Sequence, residues 1–416
     1  MSQHEDYYRS AVPVAERKSF AAVLFPLVGY VFIFAVVLAG GLLGSGLYLA
    51  DALLAAFVAS LILGLLAGID GVVAADTGLT FGLLVRHSFG RAGAWLPNIA
   101  IPAIHTTWFG ISVSFVAQVF EQVYGGSFTV YVVVMGVVFM ASAYQGINML
   151  VYLSYPIVLF CMGVGAYLVI GPIAQQGGVA NLASVPPVQP ISVNDGITIA
   201  IGSFVTGATT ASLNILRYCR SAAQGAIAGV LSMGVAFFFV LLIGIVGLKA
   251  AGSADVVEIG KAVGWYHLGV WMLILLTWTT LDKSLYASSL TFSASAGIPR
   301  TKVVLVLGLI GIALGLLRSI DFIVPWLKVL GIAVPPLMGI IQADYWLARI
   351  KGWRWGTRKD LRFLDYGAVA IWMLSIAVAW FGGHQGWTVS PIVIAIVLAI
   401  GLRCLFPAAS ARELSG

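Results

Sequence analysis

Asp282 and Lys283 are adjacent residues in the middle of a long apolar stretch of the chain. An acid and an amine in such a place could take up and release a proton, or could bind an ion. A charge near the centre of a bilayer costs roughly 2.5 to 3.5 kcal/mol on insertion scales, so such residues usually face a polar cavity on a substrate or ion route. The pair therefore marks this stretch as a candidate functional element.

The spacing of the polar residues around this pair predicts where each charge points. Adjacent residues of a helix diverge by about 100°, so Asp282 is not expected to be the partner of Lys283. Lys283 instead shares one helix face with Leu276, Thr279 and Thr280. Three roles remain open for its ammonium group: a proton-binding site on this face, an ion pair with a carboxylate elsewhere, and extension toward the cytoplasm.

Asp70 is a second carboxylate within an apolar stretch, and it lies between Gly68 and Gly71. It could be the counter-ion of Lys283 or, like Asp282, part of a proton path. A structural hydrogen bond near the cytoplasmic side is an equally good explanation.

His105 precedes Trp108 by three residues, so both side chains project from the same face of a helix. An imidazole can donate or accept a hydrogen bond along the edge of a flat ring, and it titrates near neutral pH, so it could also carry a proton. The alternative is a histidine that only packs. The pairing with Trp108 favours contact with a ligand.

The composition is that of a polytopic membrane protein. Of 416 residues, 60% are hydrophobic and 9% are charged, and the mean hydropathy is +1.01. Water-soluble domains have about 25% charged residues, so this chain has too few charges to cover a soluble surface. The net charge of +6 does not indicate nucleic-acid binding, because the basic residues lie in short links between apolar segments. Cys161, Cys219 and Cys404 form no metal-binding pattern, and no cofactor is expected.

The apolar segments predict twelve spanning helices, since each is near the ~20 residues that a span needs. Spans 1 to 12 are residues 20–46, 51–75, 95–121, 127–146, 148–172, 194–216, 222–249, 264–293, 302–319, 322–347, 364–383 and 389–407. Cytoplasmic segments of membrane proteins are rich in Lys and Arg. With the N-terminus inside, the basic residues fall on the cytoplasmic side except for Lys249, Lys261, Lys283, Arg318 and Lys328. Both termini are therefore predicted to be cytoplasmic.

Spans 1 and 6 contain Gly and hydroxyl residues in mid-span, which predicts unwound helix. Such a break is tolerated where the freed backbone lines a cavity. Breaks five spans apart predict an inverted five-plus-five repeat with its site at the midplane of the membrane. The predicted organisation is a cytoplasmic tail (1–19), a first five-helix repeat (20–172), a second, inverted repeat (194–347), a basic cytoplasmic loop (348–363), two additional helices (364–407) and a cytoplasmic tail (408–416).

A series of short motifs covers nearly the whole chain. They are Gly29…Phe32 with Gly40-Gly41, Asp76-Thr-Gly-Leu-Thr80, Ser88-Phe-Gly90, Trp95-Leu-Pro97, Trp108-Phe-Gly110, Gly202-Ser-Phe204, Trp278-Thr-Thr280 with Leu285-Tyr-Ala-Ser288, and Pro335-Pro336 with Ala343-Asp-Tyr345. In this order and spacing they resemble the nucleobase:cation symporter-1 family, in particular its bacterial cytosine permeases. The resemblance implies an all-α, LeuT-type fold with two extra C-terminal helices. It also implies uptake of a flat heterocycle driven by sodium or protons.

The resemblance also implies where the heterocycle binds. In such permeases the base stacks between an aromatic residue of span 3 and one of span 6, which match Trp108 and Phe204. Stacking on an aromatic side chain is worth roughly 1 to 3 kcal/mol per base. His105, Ser203 and Thr206 are expected to contact its polar edge.

The cation site that the family implies lies between spans 1 and 8. It corresponds here to the carbonyls near Gly29 and Phe32 and to the hydroxyls of Thr279 and Thr280.

Span 8 differs most from the family pattern. Leu276 replaces an Asn that helps to bind sodium, Leu281 replaces an Asn that reads the base, and Lys283 replaces a third Asn. Sodium coordination by hard oxygen ligands is thereby weakened. We expect the ammonium group of Lys283 to lie at or near the sodium position and to bond to the carbonyls of span 1, so that proton binding replaces sodium binding.

The predicted function is import of a nucleobase or a related flat heterocycle by alternating access, coupled to protons or sodium. The alternatives within the family are a hydroxymethylpyrimidine-type thiamine precursor, a hydantoin and uracil. A channel is the alternative from another class. An enzyme is not expected, because no nucleotide loop, HExxH or GxSxG pattern occurs. The expected setting is the cytoplasmic membrane of a bacterium or archaeon, with a small heterocycle and the lipid bilayer as partners and no obligatory protein partner.

Overall fold

The structure of the protein is a computed structural model, which describes residues 6–318, 332–352, 361–384 and 391–407. Within these ranges the regular structure is entirely helical. The α-helices are α1 (Phe20–Val31), α2 (Phe34–Gly46), α3 (Leu49–Thr77), α4 (Phe81–Gly93), α5 (Trp95–Tyr124), α6 (Phe128–Gln145), α7 (Ile147–Gln175), α8 (Val179–Ala183), α9 (Val193–Thr206), α10 (Leu213–Leu216), α11 (Ala222–Val230), α12 (Phe237–Ala251), α13 (Val256–Ala262), α14 (Tyr266–Ala296), α15 (Arg300–Leu316), α16 (Pro335–Ile350), α17 (Tyr366–His384) and α18 (Pro391–Leu405). Two π-helical turns, Gly207–Ala211 and Leu231–Ala236, join α9 to α10 and α11 to α12.

Six helical segments in the described residues are long and apolar enough to cross a membrane, and the bent pair α1 and α2 gives a seventh candidate. The six are Leu49–Thr77, Trp95–Tyr124, Phe128–Gln145, Ile147–Gln175, Val193–Leu216 and Ala222–Ala251. α14 is also long, with 31 residues, but its hydroxyl and charged side chains lower its hydropathy. Most of these polar side chains are buried within the protein rather than exposed to lipid.

Span 1 is broken, as the sequence predicts. α1 ends at Val31 and α2 begins at Phe34, and the two helices meet at an angle of 55°. Because the last carbonyl groups of a helix have no partner within it, the break leaves free carbonyls at the end of α1.

The glycines of α2 do not unwind it, contrary to expectation. Gly40 and Gly41 lie within regular helix, where Gly40 permits close packing against α12 and Gly41 permits close packing against Ala254, just after α12. A Cβ atom at Gly40 would overlap the backbone oxygen of Leu241, and one at Gly244 would overlap the backbone oxygen of Val37. These glycines therefore serve helix contact.

The prediction that span 6 is unwound is wrong. The chain remains helical from Val193 to Leu216, with one π-helical turn in the middle. The physical reason is that its hydroxyl groups satisfy carbonyls locally. Thr209 Oγ1 donates to the carbonyl of Val205 at 2.7 Å, and Thr210 Oγ1 donates to that of Thr206 at 2.6 Å. Single π-turns inside helices are frequent at functional sites.

Three short helices, α4, α8 and α13, lie between predicted spans and were not predicted. α4 follows span 2, begins after the N-cap Thr80, and contains a kink at Gly90, whose φ of 81° favours glycine. α13 precedes span 8 and is capped by Asp255. Span 10 was predicted at 322–347, and only its second half falls within the described residues, as α16. The predicted loop 348–363 is described only in part, and the tail 408–416 lies outside the described residues.

The described part of the N-terminal tail packs against the end of α10 and the start of α15. Arg217, which follows α10, donates to the backbone oxygen of Asp6 at 2.5 Å. The Asp6 carboxylate lies 3.7 Å from Arg300 Nε, at the start of α15. Burial raises the pKa of the Asp6 carboxyl, and the nearby arginines Arg300 and Arg217 oppose this shift. The tail thus links spans 6 and 9.

The two C-terminal helices are joined to the rest of the protein by a buried arginine. Arg403 of α18 donates from Nε to Asp344 of α16 at 2.7 Å, and from Nη1 to Asp365, just before α17, at 3.1 Å. Arg403 also donates to the backbone oxygen of Ser88 in α4. A buried arginine of this kind is tolerated because both carboxylates compensate its charge.

Candidate functional site

One cavity lies where the broken span 1 meets α5, α9 and α14. Its empty space is about 410 Å³, including the part open to solvent. Its lining combines aromatic rings with hydroxyl groups and one imidazole. The lining residues are Tyr30, Ile33, Ile104, His105, Trp108, Gly202, Ser203, Phe204, Thr206, Gly207, Thr280 and Ser284.

Two of the predicted aromatic residues line this cavity from different helices, and each is supported by a second ring. Trp108 of α5 stacks on Phe34 of α2, with ring centroids 5.8 Å apart and planes within 5° of parallel. Phe204 of α9 makes an edge contact with Tyr30, with centroids 5.0 Å apart. Both rings are more than nine-tenths buried. The cavity therefore has two apolar surfaces that are fixed in orientation.

Gly207 explains how Phe204 and Tyr30 come together. A Cβ atom at Gly207 would lie 2.9 Å from Cζ of Phe204 and 3.1 Å from Cε1 of Tyr30. Any larger residue at this first position of the π-turn would have to displace one of the two rings.

The predicted polar contacts also line the cavity. His105 Nε2 lies 3.2 Å from Thr210 Oγ1, which belongs to the π-turn. Ser203 Oγ donates to the carbonyl of Ala200 at 2.7 Å. The hydroxyl of Thr206 is buried and has no hydrogen-bond partner among the described residues. An unpaired buried hydroxyl costs free energy, which a bound ligand could recover.

The free carbonyls of α1 converge on two threonine hydroxyls of α14. Thr279 Oγ1 lies 2.8 Å from the carbonyl oxygen of Gly29, and Thr280 Oγ1 lies 3.2 Å and 3.0 Å from those of Tyr30 and Phe32. Both hydroxyls also approach the carbonyl oxygen of Leu276, at 3.1 Å and 3.0 Å.

The cluster therefore has more acceptors than protons. Each threonine hydroxyl has one proton, so Thr279 and Thr280 cannot satisfy all the carbonyl oxygens that surround them. A set of hard oxygen ligands with surplus lone pairs suits a small cation. The side chain of Leu276 offers no ligand, but its backbone oxygen belongs to the cluster.

The expectation for Lys283 is wrong in two respects. Its ammonium nitrogen lies 3.1 Å from Asp282 Oδ1 and does not bond to the carbonyls of span 1. Both side chains are completely buried. The long, flexible side chain can turn back to its neighbour, although the two Cα–Cβ bonds diverge, and a buried charge strongly favours such a partner. The second carboxylate oxygen of Asp282 has no partner among the described residues.

Asp70 is not the counter-ion of Lys283. Its Oδ1 accepts a hydrogen bond of 2.6 Å from Gln342 Nε2 of α16, and its Oδ2 has no partner within the described ranges. The side chain is completely buried. The contact joins α3 to the described part of span 10.

Leu281 does not line the cavity, although it was predicted to replace a base-reading Asn. It is fully buried, and it diverges from the lining residue Thr280 by one helical step.

Two lining residues, Tyr30 and Ser284, were not predicted from the sequence. Tyr30 follows Gly29 in the predicted break, and Ser284 follows Thr280 by four residues, so helical spacing contained a signal for both.

The fold is that of known membrane transporters. A solved structure of Mhp1, a nucleobase-cation-symport-1 family transporter in a closed conformation with bromovinylhydantoin bound, matches with a TM-score of 0.84 at 18% identity, covering 98% of this chain and 95% of that one. A sodium-coupled sialic acid symporter matches with a TM-score of 0.71 at 11% identity, covering 98% and 92%. The chain therefore has the fold of these proteins, which is the LeuT-type fold that the sequence predicts.

Sequence comparison identifies the family. The chain belongs to the family described as permease for cytosine/purines, uracil, thiamine, allantoin, whose model matches residues 11–399. Cytosine permease of Escherichia coli strain K12 is 31% identical over 384 residues, which cover 92% of this chain and 90% of the relative. Cytosine permease of Escherichia coli O157:H7 matches to the same extent. The protein is thus a permease, a transporter rather than an enzyme.

Proposed function

We propose that the protein imports a nucleobase or a closely related flat heterocycle by alternating access, coupled to a cation. The observation that carries this proposal is the cavity between Trp108 and Phe204, which adjoins the oxygen cluster at the break in span 1. The relatives named cytosine permease support a pyrimidine or purine as the substrate. A thiamine-precursor pyrimidine, a hydantoin and uracil are the other members of the same chemical class.

In this proposal the two aromatic rings bind the faces of the heterocycle and the polar side chains bind its edge. Trp108 and Phe204 are supported by Phe34 and Tyr30, so they lose little freedom when a base enters. Base–aromatic stacking is worth roughly 1 to 3 kcal/mol per base. His105, Ser203 and Thr206 supply the polar contacts, and the unpaired hydroxyl of Thr206 has the most to gain.

The coupled cation in this proposal binds at the oxygen cluster of Gly29, Phe32, Thr279 and Thr280. Thr280 contacts both the cluster and the substrate cavity, because its hydroxyl approaches the carbonyls of α1 and the residue also lines the cavity. Binding of a cation would therefore order a residue that the substrate touches, which is a physical basis for coupled binding. Sodium is the ion that suits these ligands.

Proton coupling is the alternative, and a different observation favours it. Asp282 and Asp70 each have one carboxylate oxygen without a partner among the described residues. Either group could take up a proton within the membrane. The Asp282–Lys283 pair lies on the same helix as the threonines of the oxygen cluster, so a change in its charge could affect that helix.

A channel is less consistent with the geometry. The residues that line the cavity are mostly buried, and aromatic rings and a broken helix surround it. A channel also gains nothing from a site that fits one planar ligand. Transporters of this fold instead bind substrate near the midplane and expose it to one side at a time. We propose the cytoplasmic membrane of a bacterium as its location, since the named relatives are bacterial.

Thermal stability of the purified protein tests both parts of the proposal. Cytosine, adenine, uracil, hydantoin and hydroxymethylpyrimidine are added with and without sodium and across pH, because a ligand that binds the native state raises its apparent stability. At least one of these heterocycles should raise the melting temperature. Trp108→Ala should abolish the rise, while Trp278→Ala, which removes a tryptophan outside the cavity, should retain it.

The ion dependence separates the two coupling mechanisms. If sodium at constant ionic strength increases the stabilisation by the heterocycle, the oxygen cluster is supported as the cation site. Sodium-independent stabilisation that changes with pH would support protons instead. If none of the five compounds stabilises the protein under any of these conditions, the proposed substrate class is wrong.

A further inference from the structure

The contacts of Thr210 fix the position of the proton on His105. Thr210 Oγ1 lies 2.6 Å from the carbonyl oxygen of Thr206, four residues earlier in the helix. A carbonyl oxygen can only accept, so the single proton of this hydroxyl is used in that bond. The hydroxyl of Thr210 can then only accept from any other partner.

His105 Nε2 lies 3.2 Å from the same hydroxyl oxygen. Because Thr210 has no proton left to give, this contact is a hydrogen bond only if Nε2 is protonated. In a neutral imidazole the other ring nitrogen, Nδ1, then has a free lone pair. His105 lines the cavity, and Nδ1 is the one ring nitrogen that the contact with Thr210 leaves available. The residue therefore presents an acceptor.

Thr210 makes both contacts from within a π-turn. Thr210 lies within the turn Gly207–Ala211, where the helix is widened by one residue. Its hydroxyl reaches across to α5 while it still bonds to its own helix. The sequence shows a histidine in phase with Trp108, but it does not show which nitrogen carries the proton, since Thr210 lies far from His105 in the chain.

A second hydroxyl in the cavity is restricted in the same way. Ser203 Oγ donates its proton to the carbonyl oxygen of Ala200 at 2.7 Å. Its lone pairs remain available, so Ser203 can accept from a ligand without breaking a helix contact. The hydroxyl of Thr206, in contrast, is uncommitted among the described residues and can donate or accept. His105 and Ser203 thus both offer acceptors to a ligand.

We infer that His105 is a hydrogen-bond acceptor whose tautomer is set by Thr210, and that the substrate presents an N–H group to its Nδ1. This inference rests on the proposed function for the identity of the ligand, but the tautomer itself does not. The ligand class is a neutral flat heterocycle with a ring N–H or an exocyclic amino group on the edge that faces α5. Thr210 is a positioning residue, because it acts through His105.

The tautomer is tested first in the ligand-free protein. Nitrogen-15 NMR of histidine-labelled protein distinguishes the two neutral tautomers, and the His105→Gln variant identifies the His105 signals among the five histidines. We expect the Nε2–H tautomer in the native protein and in Thr210→Ser, which retains the hydroxyl. Thr210→Val should yield a mixture of tautomers. An Nδ1–H tautomer in the native protein would overturn the inference.

A double-mutant cycle then tests the role in binding, with cytosine, adenine and uracil as probes. Thr210→Val should weaken binding of a probe about three- to tenfold, the size of one hydrogen bond, when His105 is present. In the His105→Gln background the same substitution should have no effect, because Gln can supply its own acceptor. Thr210→Ser should retain the native affinity.

The outcomes separate this inference from the proposed function. An equal loss of affinity with and without His105 would show that Thr210 acts only on the helix, which overturns the inference. If no probe binds to the native protein, the proposed substrate class fails, whereas the NMR result still decides the tautomer.

Discussion

Replacing Lys283 tests the buried ion pair of α14 most sharply. Lys283 Nζ lies 3.1 Å from Asp282 Oδ1, and both side chains are 0% exposed. Removal of one partner from a buried pair leaves an uncompensated charge and costs about 3 to 5 kcal/mol. The cost should lie within this range, since the other oxygen of Asp282 has no partner among the described residues. Lys283→Met and Asp282→Asn should each be strongly destabilised.

The double substitution distinguishes a buried pair from a simple packing defect. Asp282→Asn with Lys283→Met removes both charges together, and replacement of a whole buried pair is often neutral or stabilising. The double variant should therefore be more stable than either single variant, and within about 1 kcal/mol of the native protein. The coupling energy of the cycle reports the interaction directly.

The matched control is an exposed pair in the same protein. Lys261 lies 3.7 Å from Glu258 in α13, and these side chains are 65% and 52% exposed. Lys261→Met should change stability by no more than about 1 kcal/mol, because solvent screens exposed pairs. Unfolding is measured in mixed micelles with increasing SDS. A Lys283→Met variant as stable as Lys261→Met would refute the assignment of Asp282 as its partner.

Three further predictions concern the oxygen cluster, the helix contacts and pH. Thr279→Val and Thr280→Val each remove one oxygen at nearly constant volume. Each should therefore raise, at least about tenfold, the sodium concentration that gives half of the sodium effect on substrate binding. An unchanged sodium concentration would place the ion elsewhere. Gly244→Ala should lower the melting temperature because its Cβ overlaps the backbone of α2, whereas Gly163→Ala, which meets open space, should not; equal effects would contradict this contact. Burial, assisted by Arg86, lowers the pKa of His87 in α4 to about 4. The folded protein thus favours the neutral ring of His87. The contribution of this ring to the free energy of unfolding is complete above about pH 6.5 and is lost as the pH falls toward 4. Relative to His87→Gln, the native protein should lose about 1 to 2 kcal/mol of stability between pH 7 and pH 5, and parallel pH profiles would contradict the shift.

Sequence patterns predicted the class of fold and the position of the first break. Apolar segments of about 20 residues predict spans regardless of tertiary contacts, and the family motifs extend over most of the chain. Charges and clusters of Gly, Pro and Asn divide the apolar segments into the twelve predicted spans. The same approach missed α4 and α13, since both are shorter than a span.

The site was harder to predict, because side-chain ends are not set by helical phase alone. Phase correctly groups Trp108 with His105, and both line the cavity. It fails for Lys283, whose flexible side chain returns to its neighbour. The hydroxyl residues of span 6 predict a break in the helix. In the structure, Thr209 and Thr210 donate their hydroxyl protons to carbonyl oxygens of the same helix, which remains helical. These outcomes depend on local hydrogen-bond competition, which composition does not encode.

Uptake into proteoliposomes tests the central claim most directly. Radiolabelled cytosine, adenine, uracil, hydantoin and hydroxymethylpyrimidine are supplied to vesicles under an inward gradient of sodium or of protons, with Trp108→Ala and Trp278→Ala for comparison. We predict saturable accumulation of at least one of them above its external concentration, abolished by Trp108→Ala, retained by Trp278→Ala, and collapsed when the gradient is dissipated. Uptake that does not saturate, is independent of both gradients, or is unaffected by Trp108→Ala would contradict a cation-coupled transporter with its substrate in this cavity.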